Sequence, residues 1–165
     1  GPPMITNDPG SSSSIERVKG VHEGLAAGGP AFKIAAEQTA NSKRDQALTV
    51  TQNVLTSMHD DPPDVVLCLN DDMAMGALEA LRAGGFASGK IKVLGFDAIP
   101  EALARIKAGE MIASVEQNPG QQIRTALRQA VAKIKTGAAP KSVSLTPVLI
   151  TSANLSEASR ISEVK

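Results

Sequence analysis

Three times along this chain an apolar run stops at a polar residue or cluster, and a helix pattern follows. Residues 65–69 lead into Asn70, Asp71 and Asp72; residues 91–96 lead into Asp97; residues 111–115 lead into Gln117 just before Pro119. A short continuous apolar run fits a strand covered on both faces. Strands alternating with helices fit a parallel sheet with helices on both sides. The expected fold is therefore α/β, a doubly wound, flavodoxin-like parallel sheet of at least five strands. In an open sheet of that kind ligands bind outside the carboxyl ends of the strands. Asn70, Asp71, Asp97 and Gln117 are thereby placed on one rim, rich in hydrogen-bonding groups and without an evident nucleophile.

The remaining segments keep the same rhythm. Residues 4–6 read as a strand and residues 7–14 as a Gly, Pro and Ser loop, with a serine near its end expected to cap the next helix. That helix covers residues 15–27 and stops at Gly28, Gly29 and Pro30. A strand over 32–37 and a helix over 43–58 follow. Residues 72–82, 100–108 and 121–136 are helical by apolar periodicity. The last of these carries Ile123, Leu127, Val131 and Ile134 in one stripe. Residues 143–150 read as a final strand, followed by a polar tail from Ser152 with one helical turn.

Composition narrows the function. Seventeen basic and seventeen acidic residues cancel, with no dense basic block, which argues against nucleic acid as a partner. No stretch reaches the ~20 apolar residues that cross a bilayer. No signal peptide is read at the start, and residues 1–3 are expected to be a tag remnant. The single cysteine, Cys68, excludes an internal disulfide and leaves the redox compartment open. His22 and His59 lack partners at metal-ligand spacing, so neither a metal nor a cofactor is expected. Only three aromatic residues are present, all Phe, which leaves little stacking surface for a sugar or base.

Each polar residue has a plainer use beside the functional one. Asn70 or Asp71 would cap the helix that follows, but a cap needs one residue and three stand in a row. Asp97 would cap the next helix or aim a carboxylate into the rim, where polyol hydroxyls could donate to it. Gln117 and Asn118 precede a proline and are expected to be extended. Arg17 and Arg44, taken alone, read as solvated helix residues. The serine run, Ser11 to Ser14, has neither the lysine of a phosphate-binding loop nor the glycines of a dinucleotide fingerprint. No Ser/His/Asp or Cys/His set assembles, so the chain is not expected to be an enzyme.

Taken together, NDDMAMGALEAL, KVLGFDAIPEAL and IKAGEMIASVEQNP, in that order, resemble the type I periplasmic binding proteins, the ribose- and galactose-binding receptors of ABC transporters. GSSSSIERVKGVHEGL and QALTVTQNVL resemble the corresponding helices. The resemblance implies a sugar or sugar-like polyol as ligand, an ABC permease as partner and a periplasmic location. It assigns ligand hydrogen bonds to Arg17, Asn70, Asp97 and Gln117, with residues around Asn41 to Arg44, Ser42 and Arg44 among them, lining the same cleft. Asp71, from its place in the polar cluster, is a further ligand-binding candidate. Members often carry an aromatic residue where this chain has Ser42, which argues against a sugar stacked on this lobe.

The resemblance covers the second lobe of a two-lobed receptor. It implies a ligand-binding lobe over residues 1–118, then a helix and strand over 119–165 that return to the first lobe and hinge. A chain lacking its partner lobe is expected to self-associate into a homo-oligomer through the exposed helix stripe. The alternative function is the effector domain of a LacI-type repressor, which shares the fold. Against it, repressors carry a Pro-rich run where this chain has IKAGEMIASVEQNP.

Overall fold

The apolar runs lie side by side in the computed structural model, which describes residues 1–164. Five strands are parallel: β1 (Pro3–Thr6), β2 (Ala36–Thr39), β3 (Val65–Cys68), β4 (Lys92–Phe96) and β5 (Ala113–Glu116). A sixth, β6 (Val148–Thr151), runs antiparallel along β5, and the sheet order is β2-β1-β3-β4-β5-β6. Helices α1 (Ser12–Gly28), α2 (Arg44–Ser57), α3 (Asp71–Ala83), α4 (Pro100–Lys107) and α5 (Pro119–Thr136) alternate with the strands. Two short 3-10 turns, Leu155–Glu157 and Ile161–Glu163, end the described chain.

Alternation along each strand divides the sheet into two faces. Val66 and Cys68 of β3, with Val93 of β4, are buried in the core with Met73 and Ala77 of α3 and Leu103 of α4. Helices α2 and α3 approach so closely that a Cβ on Gly76 would lie 2.2 Å from the Arg44 carbonyl oxygen. On the other face, Leu67, Leu94, Phe96 and Val115 line an open trough with Arg17 and Val21 of α1. One face is sealed and the other is half open.

Several sequence expectations are corrected here. The strand expected over 32–37 lies at Ala36–Thr39, because Phe32 turns back to donate its amide to the Gly29 carbonyl at 3.1 Å. Its Glu37, Gln38 and Thr39 side chains are those of an exposed edge. The last strand is shorter than 143–150 and antiparallel. Its first residue, Val148, pairs with Glu116, the last of β5, so the chain re-enters at the carboxyl edge without crossing the sheet. Ser11 stands at the N-cap of α1 without a side-chain capping bond, its hydroxyl lying 2.7 Å from that of Ser13. Asn118 is left-handed, not extended, with φ 48°, and accepts the Gln121 amide at 3.0 Å as the N-cap of α5. Pro3, expected within a tag remnant, is buried at the head of β1 and paired with Ala36.

Ile150 and Ala158 are buried in the core, and Ser159 donates its amide to the Glu116 carboxylate at 3.1 Å. The end of the chain therefore packs on this same sheet. Helix α5 does not: none of its residues is buried, and Ile134 is 83% exposed.

Candidate functional site

Parallel strands deliver their last residues to one edge, and the edge here reads Ser42 beyond β2, Asn7 beyond β1, Asn70 beyond β3, Asp97 beyond β4 and Gln117 beyond β5. Asn70, Asp97 and Gln117 therefore follow three adjacent strands on one rim. Gln117 Nε2 donates to Asp97 Oδ1 at 2.7 Å. Asn70 accepts the Met73 amide at 2.8 Å as the N-cap of α3. That bond engages Oδ1 only, and the two Nδ2 hydrogens stay outside the cap.

Arg17 joins this group from α1. Its Nη1 donates to the Leu69 carbonyl at 2.7 Å, and Nη2 lies 3.6 Å from Asp97 Oδ1. The guanidinium sits 3.7 Å above the Phe96 ring centroid, within cation–π range. The solvated-helix reading of this arginine is corrected: it is clamped among a carbonyl, a carboxylate and an aromatic face. Burial lowers its pKa, with the Asp97 and Asp71 carboxylates opposing. Burial likewise raises that of Asp97, with Arg17 and Gln117 pulling it back and Asp72 adding to the rise.

Asp71 is corrected from a rim group to a buried one. It is 0% exposed, because the first turn of α3 points its side chain inward beneath β4 and β5. Ile99 donates its amide to Oδ2 at 2.9 Å, and the Ser114 hydroxyl donates at 2.8 Å to Oδ1. A Cβ on Gly95 would fall 2.0 Å from Asp71 Oδ1, so that glycine makes room for the carboxylate. Burial pushes Asp71 up to about 7, against the hydrogen bonds from Ile99 and Ser114. Above it the chain turns through Asp97 (φ 110°) and Ala98 (φ 49°). Residues other than glycine in such conformations cost on the order of 1–3 kcal/mol each and persist only where surroundings hold them.

Arg44 is also corrected. Its guanidinium bridges Glu101 at 2.7 Å and Asp72 at 3.2 Å, tying together the first turns of α2, α3 and α4. The hydrogen bond it donates to Glu101 is the main cause of its raised pKa. Ser42 is exposed at the β2 end of the rim, in a left-handed turn with φ 62°.

One polar residue was missed in sequence. Asn7 is buried at the end of β1, its Nδ2 3.4 Å from the same Leu69 carbonyl that Arg17 engages. Its Oδ1 is buried and without a protein partner among the described residues. The available signal was its position directly after a strand, obscured by the loop composition that follows.

The rim combines a carboxylate acceptor, Asp97, with donors from Arg17, Gln117 and Asn70. That mixture suits vicinal hydroxyls, each of which both donates and accepts. Such a sheet and edge define one doubly wound α/β lobe.

The chain belongs to the periplasmic binding protein family: the model of the periplasmic binding protein domain matches residues 4–139. Among its relatives, a putative rhizopine-binding protein of Rhizobium meliloti is 32% identical over 93% of this chain and 50% of the relative. The ribose import binding protein RbsB of Salmonella typhimurium is 39% identical over 68% of this chain and 36% of the relative. Among solved structures, the Caulobacter myo-inositol binding protein bound to myo-inositol is 84% identical with a TM-score of 0.92. That match covers 98% of this chain and 54% of the Caulobacter chain. The chain thus spans about half the length, or less, of these matching proteins.

Proposed function

We propose that this chain is one lobe of the solute-binding receptor of an ABC transporter, that its rim holds a cyclic polyol or sugar, and that the receptor hands this ligand to a permease from the periplasm. The observation that carries the reading is the Gln117–Asp97–Arg17 cluster, a half-buried acceptor flanked by donors on the sheet edge. Identity of 84% to a protein solved with myo-inositol favours a cyclic polyol within that class. The relatives are binding proteins, and the rim offers recognition without a nucleophile, which supports a receptor without enzyme activity. They also favour the receptor over the repressor reading.

In this reading Arg17, Asn70, Asp97 and Gln117 bind the ligand and Ser42 flanks the cleft. Arg44 and Asp71 serve the scaffold. Residues 119–147, with α5, would rest on a partner lobe, while β6 returns to this one. Enclosure between two lobes removes water and strengthens polar contacts, so a single lobe would bind weakly.

Isothermal titration of myo-inositol into the full receptor carrying this lobe tests the site. Asp97→Ala should weaken binding by roughly 1–3 kcal/mol, the cost of leaving hydrogen-bonding groups unpaired. Lys92→Ala is the control, because Lys92 begins the same strand and its Nζ donates to the Gly89 carbonyl. Equal affinities for the two variants would remove Asp97 from the site.

A further inference from the structure

We infer that Asp71 is a positioning residue for this site: with Ser114 it fixes the left-handed turn at Asp97–Ala98 and so aims the Asp97 carboxylate, without touching the ligand. The inference rests on the reading of Asp97 as a ligand-binding group.

Three successive amides of the turn are held from below. Asp97 N donates to the Val115 carbonyl at 2.8 Å, a continuation of the β4–β5 pairing. Ala98 N donates to the Ser114 hydroxyl at 3.0 Å, and Ile99 N donates to Asp71 Oδ2 at 2.9 Å. The Ser114 hydrogen is directed to Asp71, which leaves the hydroxyl lone pairs to receive Ala98. Two of the three restraints therefore depend on one carboxylate. They act where they are needed, since Asp97 and Ala98 both adopt a positive φ without being glycine.

The chemistry also selects the residue type. Asp71 faces donors, among them the Ile99 amide and the Ser114 hydroxyl, and above about pH 7, where it is ionised, its carboxylate is a pure acceptor. Asparagine has the same shape but must turn its NH2 toward one of them. With its oxygen kept on Ile99, the NH2 meets Ser114, whose hydroxyl hydrogen loses its acceptor and must rotate to another, turning a lone pair away from Ala98. The Asp71→Asn variant therefore keeps Ile99 and loosens Ala98.

The test uses the full receptor chain, isotopically labelled, with myo-inositol as the probe. Asp71→Asn and Ser114→Ala should each change the amide-to-α-proton couplings of Asp97 and Ala98, which report φ, and accelerate exchange of the Ala98 amide. Both should weaken myo-inositol binding by about tenfold, the scale of one lost buried hydrogen bond. The decisive comparison is the double-mutant cycle. In an Asp97→Ala background, Asp71→Asn should cause no further loss of affinity, because its effect passes through Asp97. A purely structural role would weaken binding equally in both backgrounds, and that result overturns the inference. Unchanged couplings at Asp97 and Ala98 in both variants would overturn it as well. Should Asp71→Asn fail to fold, Ser114→Ala carries the same cycle through the Ala98 bond alone. Should Asp97→Ala bind like wild type, the reading of the site fails, and the couplings alone then decide whether Asp71 sets the turn.

Discussion

Helices α3 and α5 have similar sequence patterns and opposite environments. Helix α3 buries eight of its residues, among them Met73, Ala77 and Leu81, against the sheet and α2. Helix α5 carries an equally regular stripe, yet Ile123 and Leu127 are 62% and 60% exposed. Periodicity states that a helix has an apolar side, and it does not state what covers that side. In α3 the covering surface is written into the neighbouring sequence as β3 and β4. In α5 no segment within the described residues supplies it.

The largest expected effect measures that contrast directly. Met73 is 0% exposed, and truncating a buried methionine to alanine costs about 2–5 kcal/mol. Leu127→Ala removes a similar side chain from an exposed site, where changes stay within about 0.5 kcal/mol. Urea midpoints for the two variants give the comparison. A loss for Leu127→Ala approaching that for Met73→Ala would mean that α5 is packed after all.

A second effect comes from the carboxylate at the head of α3. Burial raises Asp71 from an ordinary 3.8 to about 7 in the folded chain. Between those values the folded state holds a proton that the unfolded state has released. The associated stability is therefore fully present below about pH 4, is lost as pH rises to about 7, and changes little above. Asp97 shifts in the same direction and adds to the fall. The total for a shift of this kind is on the order of a few kcal/mol. Subtracting denaturation midpoints of Asp71→Asn from those of wild type between pH 4.5 and 8 isolates the Asp71 share. A difference that stays flat across that range would show that its pKa is ordinary.

A third, smaller effect concerns how α3 meets α2. Gly76→Ala would place a methyl 2.2 Å from the Arg44 carbonyl oxygen and 2.9 Å from the Leu48 nitrogen, both backbone atoms. The helices must separate, at about 1–3 kcal/mol for overpacking. The same change at Gly120 in the first turn of α5 meets only the flexible Arg124 side chain, at 3.1 Å. Thermal denaturation of both variants should show a loss only for Gly76→Ala.

The features legible in sequence were those carried by local pattern. Runs 65–69 and 91–96 announced β3 and β4, and the polar residues after β3, β4 and β5 marked one rim. Strand β2 was displaced because Glu37, Gln38 and Thr39 form an exposed edge that lacks an apolar run. The direction of β6 depends on where the chain re-enters the sheet, which local pattern does not encode. Asn70 and Asp71 were indistinguishable as neighbours of similar shape. A helix turns by about 100° per residue, so one caps at the surface while the next points into the core. Arg17 looked solvated because Phe96 and Leu69, which hold it, are distant in sequence.

The smallest expected effect on stability separates the two helices most sharply in behaviour. Leu127→Glu combined with Val131→Glu places two charges on the stripe of α5. Both positions are already exposed, at 60% and 46%, so the folded chain desolvates little and the melting temperature should stay nearly unchanged. The same exchange in α3, at Met73 and Ala77, would bury unpaired charges and unfold the protein. Self-association should respond in the opposite order. A contiguous apolar stripe favours contact between copies, and the open trough beneath α1, lined by Leu67, Leu94 and Val115, offers an apolar surface for it to meet. Light scattering during size-exclusion chromatography of this chain should show oligomers for wild type and a shift toward monomer for the α5 double variant. A monomeric wild-type chain at high concentration would mean that α5 finds its cover on its own sheet. The contrast between the two helices would then disappear.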